Sequence, residues 1–261
     1  MPIPKIIHYC WFGRSELPPL AKKCIASWKK FFPDYEIKEW NEDNFDVNQT
    51  SYTKNAYKCK KYAFVSDYAR FKILYDNGGI YFDTDVEVIR SMDKVISQAP
   101  YMGIESELNF SDQETINNSV NPGLGMASPA QHPFFKDMID LYGALHFEIG
   151  KKDYALKTVT QHTSEMLLKK GWHPQKGIVT KIDDLTIFPK QYFCPFSNKT
   201  RTFEITESTY SIHHYASSWL TKQQKIINKN KYISLLYWLL HRSIKQNIKG
   251  LIRVLRQRKI W

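Results

Sequence analysis

One stretch, SDYARFKILYDNGGIYFDTDVE over residues 66–87, constrains the chain more than any other. From Lys60 to Asn77, Phe64, Tyr68, Phe71 and Tyr75 recur at helical spacing, and Val65, Ala69 and Ile73 widen the apolar stripe. Gly78-Gly79 supplies a C-terminal stop, and IYFDTDVEVI then reads as one buried strand. Asp83 and Asp85 stand one residue apart near its end. In an extended chain such side chains share a face, so both carboxylates can address one point. Hard divalent cations prefer oxygen ligands and commonly keep waters and substrate phosphates, so the pair suits a metal held on a diphosphate. Asp67 and Arg70, three residues apart on the preceding helix, also share a face. A carboxylate there suits a sugar hydroxyl and a forked guanidinium suits a phosphate. A surface ion pair and two solvated acids at a strand end are the bland alternatives. Four charges on so aromatic a unit argue against them.

Around this unit the chain reads as α/β. KIIHYCWF, bounded by Pro4 and Gly13, is a buried first strand; LAKKCIASWKKFF is a helix closed by Pro33; YEIKEW alternates as a second strand. This βαβ opening predicts a mostly parallel central sheet. Asn, Ser, Gly and Pro predict a long loop over 105–125. HPFFKDMIDLYGAL and residues 153–170 read as helices, and GIVTKI, LTIFP and TYSIHHYA as short strands. In the 105–125 loop, Asn118 or Asn121 could contact a ligand, and Gly123 and Gly125 permit close approach. Glu105 and Glu107, after the strand-like YMGI, could face the same site.

Charge divides the chain in two. Residues 221–261 carry eleven Lys and Arg and no acid, which leaves residues 1–220 with 26 of each sign from totals of 37 basic and 26 acidic. The net charge of +11 therefore belongs to the tail, which disfavours a basic nucleic-acid-binding body. Two domains follow: a body over 1–220 and a basic amphipathic helical extension over 221–261. Cys10, Cys24, Cys59 and Cys194 are scattered without a CxxC, which fits a reducing cytoplasm. No signal-peptide pattern and no apolar run of membrane-spanning length is visible. GxGxxG and GxxxxGK[ST] loops are both absent, which removes dinucleotide and P-loop chemistry.

IPKIIHYCWFG, then SDYARFKILYDNGGIYFDTDVEV, then IHHYASSW, in that order, resemble the DxD-containing sugar-binding glycosyltransferases of family 32. That group includes bacterial capsular and exopolysaccharide enzymes and the yeast initiating α-1,6-mannosyltransferase, with clostridial toxin glucosyltransferase domains as more distant relatives. The resemblance covers most of residues 1–220. It implies a GT-A-like nucleotide-sugar-binding fold, a retaining transfer, Mn2+ (or Mg2+) as cofactor, and a nucleotide-sugar donor with UDP favoured. It implies a glycan or lipid-linked acceptor in surface polysaccharide biosynthesis. Matching positions imply Trp11 on the base, Asp67 and Arg70 on the donor sugar, Tyr81 beside the ribose, Asp83 on ribose and metal, and Asp85 as metal ligand. In His213-His214-Tyr215-Ala216-Ser217-Ser218-Trp219, toxin-type spacing selects His214 for the metal, with Ser217 and Trp219 on the diphosphate; the other register uses His213 and Ser218. Adjacent strand residues face opposite ways, so only one histidine can serve.

In the tail, Leu239, Ile244, Ile248, Leu251, Ile252 and Leu255 fit a helical stripe opposite basic residues. Residues 231–261 are therefore expected to lie on an anionic membrane surface, placing the chain on the inner face of the cytoplasmic membrane. A helix packed on the body is the alternative there. For the whole chain, the competing readings are a nucleotide-sugar hydrolase using the same acids, or a non-catalytic scaffold or nucleic-acid-binding protein with a basic tail.

Overall fold

The computed structural model describes residues 3–106, 119–150, 156–197, 200 and 202–216. The fold below is that of the unit Met1–Tyr215, which separates from Ala216–Trp261. The helical extension expected over 221–261, with Ser217, Ser218, Trp219, Glu107 and Asn118, lies outside the described residues. Among the described residues no helix is long and apolar enough to cross a membrane.

The opening βαβ unit forms as its pattern predicts: β1 (Ile6–Cys10), α1 (Pro19–Phe31) and β2 (Glu36–Trp40), with β1 and β2 parallel. α2 (Ser51–Lys58) follows, capped by a reciprocal Thr50–Thr53 box. α3 (Tyr62–Asn77) then leads through Gly78 into β3 (Gly79–Tyr81), parallel to β1. The double glycine is needed twice over. Gly78 ends the helix at φ +65, its amide donating to the Leu74 carbonyl at 2.8 Å. Gly79, at φ +101, lies where a Cβ would be 2.7 Å from the Ile6 carbonyl oxygen. The α3 stripe buries Phe71, Ile73 and Leu74 almost completely, worth about 1.5–3 kcal/mol for each side chain removed from water.

The rest of the chain completes a mixed α/β fold. After β4 (Val86–Val88) and the short α4 (Asp93–Ile96) come β5 (Tyr101–Ser106), β6 (Ser119–Val120) and β7 (Met126–Ser128). Next are α5 (Pro133–Ala144), α6 (Val159–Lys169), β8 (Thr180–Ile182) and β9 (Leu185–Phe188). The small strands β10 (Phe196–Ser197), β11 (Thr202–Phe203) and β12 (Ser211–His213) close it. The central sheet runs β2-β1-β3-β7-β5-β9-β8, with β6 beside β5. Following the pairings, β2, β1, β3, β5 and β9 share one direction, while β7 and β8 oppose it. The sheet is mostly parallel, as expected, with an antiparallel strand inserted at its centre. That strand falls beside the region read from sequence as a long loop: β7 and β6 take up 119–128.

Pleat alternation assigns the sheet's two faces. Cys10, Tyr81, Met102 and Ile104 pack with α2, α3 and α5; Ile7, Tyr9, Ile80, Phe82 and Tyr101 pack with α1 and the 188–194 segment. Tyr81 therefore faces α3, which places Arg70 over its ring.

Candidate active site

The segment expected as one strand, IYFDTDVEVI, is two. β3 ends at Tyr81, β4 begins at Val86, and Asp83 and Asp85 sit in the turn between, closed by Val86 N–H donating to the Asp83 carbonyl at 3.1 Å. Their convergence thus comes from the turn and not from a shared strand face. β4 leaves the main sheet to pair antiparallel with β12, opposing Val86 to His213. That register carries a histidine from near the end of the described chain to the DxD turn.

The structure brings His213, and not the expected His214, beside the two aspartates. His213 lies with its Nε2 3.1 Å from Asp85 Oδ1 and is 7% exposed. His214 instead meets Glu87 Oε2 at 2.8 Å, and Lys23 donates to the same oxygen at 2.8 Å. Consecutive side chains on a strand point to opposite faces, and the pairing with β4 decides which one faces the aspartates. The sequence spacing could not supply that register. Burial opposes a proton on His213, yet the hydrogen bond and charge of Asp85, with Asp83 and Glu105 behind it, hold its pKa above the ordinary imidazole value.

Beneath the turn lies a buried charge cluster. Arg70 Nη2 reaches Asp67 Oδ1 at 3.2 Å and Asp83 Oδ1 at 3.3 Å, and its Nε donates to the Ser66 carbonyl at 3.0 Å. The guanidinium carbon sits 5.1 Å from the centre of the Tyr81 ring, whose hydroxyl donates to Asp83 Oδ1 at 3.0 Å. One buried guanidinium therefore serves two carboxylates, Asp67 buried with it and Asp83 partly open to solvent. Burial raises the Asp67 pKa against the pull of Arg70, while the two carboxylates outweigh burial in holding Arg70 charged. Nη1 of Arg70 is buried without a hydrogen-bond partner among the described residues, a donor held ready beside Asp83.

Of the residues expected on the donor, Asp67, Arg70 and Asp83 come together as one cluster. Tyr81, expected beside a ribose, is 1% exposed, because its pleat position turns it into the core against α3. Its role is to hold Asp83 and Arg70. Trp11 lies at the end of β1, half-buried, its indole N–H donating to the Ser15 carbonyl at 2.7 Å. The loop that carries it is fixed by Glu42, whose Oε1 accepts from the Gly13 amide at 2.6 Å and from the Tyr57 hydroxyl at 2.9 Å. Glu42 was not singled out from sequence; an acid in the NED segment carries no local signature.

The 121–125 turn makes the other wall. Asp83 N–H donates to the Gly123 carbonyl at 3.2 Å, and Asn121 Oδ1 accepts from Gly123 N–H at 2.7 Å. A Cβ on Gly123 would lie 2.0 Å from Asp83 Oδ2. The close approach foreseen for this glycine is real, but what comes close is the protein's own carboxylate.

Two carboxylates in a turn and an imidazole from a distant strand form a group that could hold a metal ion, with a buried arginine beneath them. Residues 18–102 match the family described as a glycosyltransferase sugar-binding region containing a DXD motif. Over this segment the chain is similar to DXD-containing glycosyltransferases. It is 26% identical over 243 residues to an uncharacterised glycosyltransferase of Acanthamoeba polyphaga mimivirus, covering 88% of this chain and 90% of that protein. It is 29% identical over 149 residues to inositol phosphoceramide mannosyltransferase 3 of Schizosaccharomyces pombe, covering 52% of this chain and 36% of that protein. Mannosyltransferase 1 of the same yeast matches at 25% over 155 residues, or 42% of its length. A solved structure, PaToxG glycosyltransferase, is similar with a TM-score of 0.45 and 19% identity, over 65% of this chain and 70% of that one.

Proposed function

We propose that the chain transfers a sugar from a nucleoside diphosphate sugar to a glycan or lipid-linked acceptor, using a divalent cation held by Asp83, Asp85 and His213. The convergence of these three carries the reading: their ligand atoms all lie within 4.8 Å of one another. Two carboxylates and one imidazole form a donor set that accepts Mn2+ or Mg2+ and leaves positions for phosphate oxygens. When bound, the cation would neutralise charge developing on the departing diphosphate.

The chain's own residues do the rest. Arg70, charged and sealed from water, fixes Asp83 and offers Nη1 toward an anion; Tyr81 fixes the same carboxylate from below. Trp11, on a loop pinned by Glu42, is the stacking surface for the base; for the diphosphate, the family resemblance implies Ser217 and Trp219. Transfer with retention, by same-face attack in which the leaving phosphate takes the acceptor's proton, follows from the family resemblance. A UDP-sugar donor and a role in surface polysaccharide assembly rest on the same ground, while attachment of residues 231–261 to an anionic membrane rests on the basic, amphipathic pattern of that tail. The yeast relatives' names favour a second reading of the sugar, mannose, and of the acceptor, an inositol phosphoceramide.

A thermal-shift panel with UDP, GDP and CDP, each with and without Mn2+, tests the proposal. Ligand at 100 times its dissociation constant adds about 2.7 kcal/mol, or roughly 5–10 °C for a body of this size. A Mn2+-dependent rise with one nucleotide is expected and names the donor class. No rise with any nucleotide, in folded protein, refutes it.

A further inference from the structure

A histidine that binds a metal through one ring nitrogen ordinarily donates from the other to a carboxylate or carbonyl, and that bond fixes ring and tautomer. His213 lacks it. Its Nδ1 is buried and has no hydrogen-bond partner among the described residues. What lies against the ring instead is Tyr215, with centroids 4.4 Å apart and planes at 74°. No other ring pair in the described residues comes as close.

Tyr215 holds this place at a backbone cost. Its φ is +50, a conformation uncommon for a bulky side chain. Such strain persists only where the surroundings over-determine it. Here they do: the Tyr215 hydroxyl lies 2.7 Å from Cys194 Sγ, it also bonds to Glu105, and the Phe196 ring stands 6.4 Å away. Cys194 is itself buried in the core of the α1 face. The left-handed turn directly after β12 thus folds the tyrosine ring back over the histidine two residues earlier, with its far end tied to two other segments.

We propose that Tyr215 is the positioning residue of the cation site, an aromatic wall that fixes the orientation of the His213 ring, as a hydrogen bond to its second nitrogen ordinarily does. Tyr215 contacts no ligand; it acts by restricting the His213 ring to the orientation that places Nε2 beside Asp85. The proposal rests on the reading of Asp83, Asp85 and His213 as a cation site. It adds that the affinity of this site is set in part by a side chain that carries no donor atom to the ion.

The test is a Mn2+ titration of the full chain without nucleotide, followed by electron paramagnetic resonance of the free ion, on wild type, Tyr215→Leu, Tyr215→Phe and Asp85→Ala, with circular dichroism on each. Loss of an orienting partner costs 10–100-fold in metal affinity in comparable sites, and Tyr215→Leu is expected in that range. Tyr215→Phe keeps the ring and is expected within about threefold of wild type, a rescue that loss of a merely structural contact at the hydroxyl would not give. Tyr215→Met, close in volume but without a rigid face, replaces the leucine variant if that one does not fold, with the same expectation. Wild-type affinity in the leucine or methionine variant, with binding lost in Asp85→Ala, overturns the role of Tyr215 and leaves the cation site standing. Absence of Mn2+ binding in wild type, or its survival in Asp85→Ala, overturns the cation site itself.

Discussion

Replacing Gly123 with alanine adds one methyl group at the most crowded point of the site. That methyl would lie 2.0 Å from Asp83 Oδ2, 2.8 Å from its Cγ and 3.0 Å from Asn121 Oδ1. Real carbon–oxygen contacts begin well beyond such distances, so something must move. The Asp83 carboxylate is the nearest atom group but has little freedom, being held by Tyr81 at 3.0 Å and Arg70 at 3.3 Å, with its amide on the Gly123 carbonyl. Overpacking of this kind costs about 1–3 kcal/mol, and moving the carboxylate would also loosen the buried Arg70. Gly123→Ala is therefore expected to lower the melting temperature by roughly 2–12 °C and to weaken Mn2+-dependent nucleotide binding at least tenfold. Gly143 in α5, where an added Cβ meets nothing within 4 Å, provides the contrast. Gly143→Ala should stabilise by about 0.5–1 kcal/mol and leave binding unchanged. Differential scanning fluorimetry and a nucleotide titration on both variants suffice. If Gly123→Ala binds nucleotide and Mn2+ like wild type, the DxD turn is not held by the 121–125 wall, and the reasoning fails.

Two further outcomes follow from the same packing. His8 is fully buried, accepting on Nδ1 from the Trp40 indole at 3.0 Å and placing Nε2 2.9 Å from the Gly78 carbonyl, and burial pulls its pKa down to about 4. Because the folded pKa lies below the unfolded 6.5, its stabilisation is full above that pH and drains as pH falls toward 4; at pH 5 the loss is about 2 kcal/mol. Burial likewise pulls His162 down to about 4, so urea denaturation at pH 7 and pH 5 should show a loss about 2 kcal/mol smaller in His8→Gln than in wild type, and not its disappearance. Trp28 is fully buried on α1 and donates its indole N–H to the Val86 carbonyl at 2.8 Å, pinning the strand that leaves the DxD turn. Trp28→Phe leaves a void and an unpaired carbonyl, so about 3 kcal/mol of stability and roughly 6–12 °C in melting temperature should be lost.

What could be read from the chain before folding, and what could not, divides along physical lines. α1, α3 and α5 announce themselves because each has an apolar stripe and a Pro or Gly boundary, and β1 and β2 because short apolar or alternating runs sit between breakers. α6 was placed over 153–170 but begins at Val159, where Thr158 and Gln161 form a capping box that the sequence displays. α2 escaped notice since SYTKNAYK has no sustained stripe and its Thr50–Thr53 box lacks the usual Glu or Gln. β7, the strand inserted at the centre of the sheet, is three residues of a Gly/Pro-rich segment, and no local pattern marks it. In the site, Asp67, Arg70, Asp83 and Asp85 were legible because they crowd into twenty residues. That His213 and not His214 lies beside the aspartates was not, because it depends on the pairing of β12 with β4, a contact between residues more than a hundred positions apart. Glu42 and Tyr215 act through tertiary contacts alone: Glu42 stands in no motif, and Tyr215, inside IHHYASSW, is given no role by that pattern.

The central claim is that Asp83, Asp85 and His213 hold a divalent cation. The most direct measurement is Mn2+ binding by isothermal titration calorimetry with saturating nucleoside diphosphate, on wild type, Asp85→Ala, His213→Ala and His214→Ala. Binding in wild type and His214→Ala, with loss in Asp85→Ala and at least tenfold weakening in His213→Ala, is the predicted pattern. Loss in His214→Ala with His213→Ala unaffected, or no binding in wild type, would contradict it.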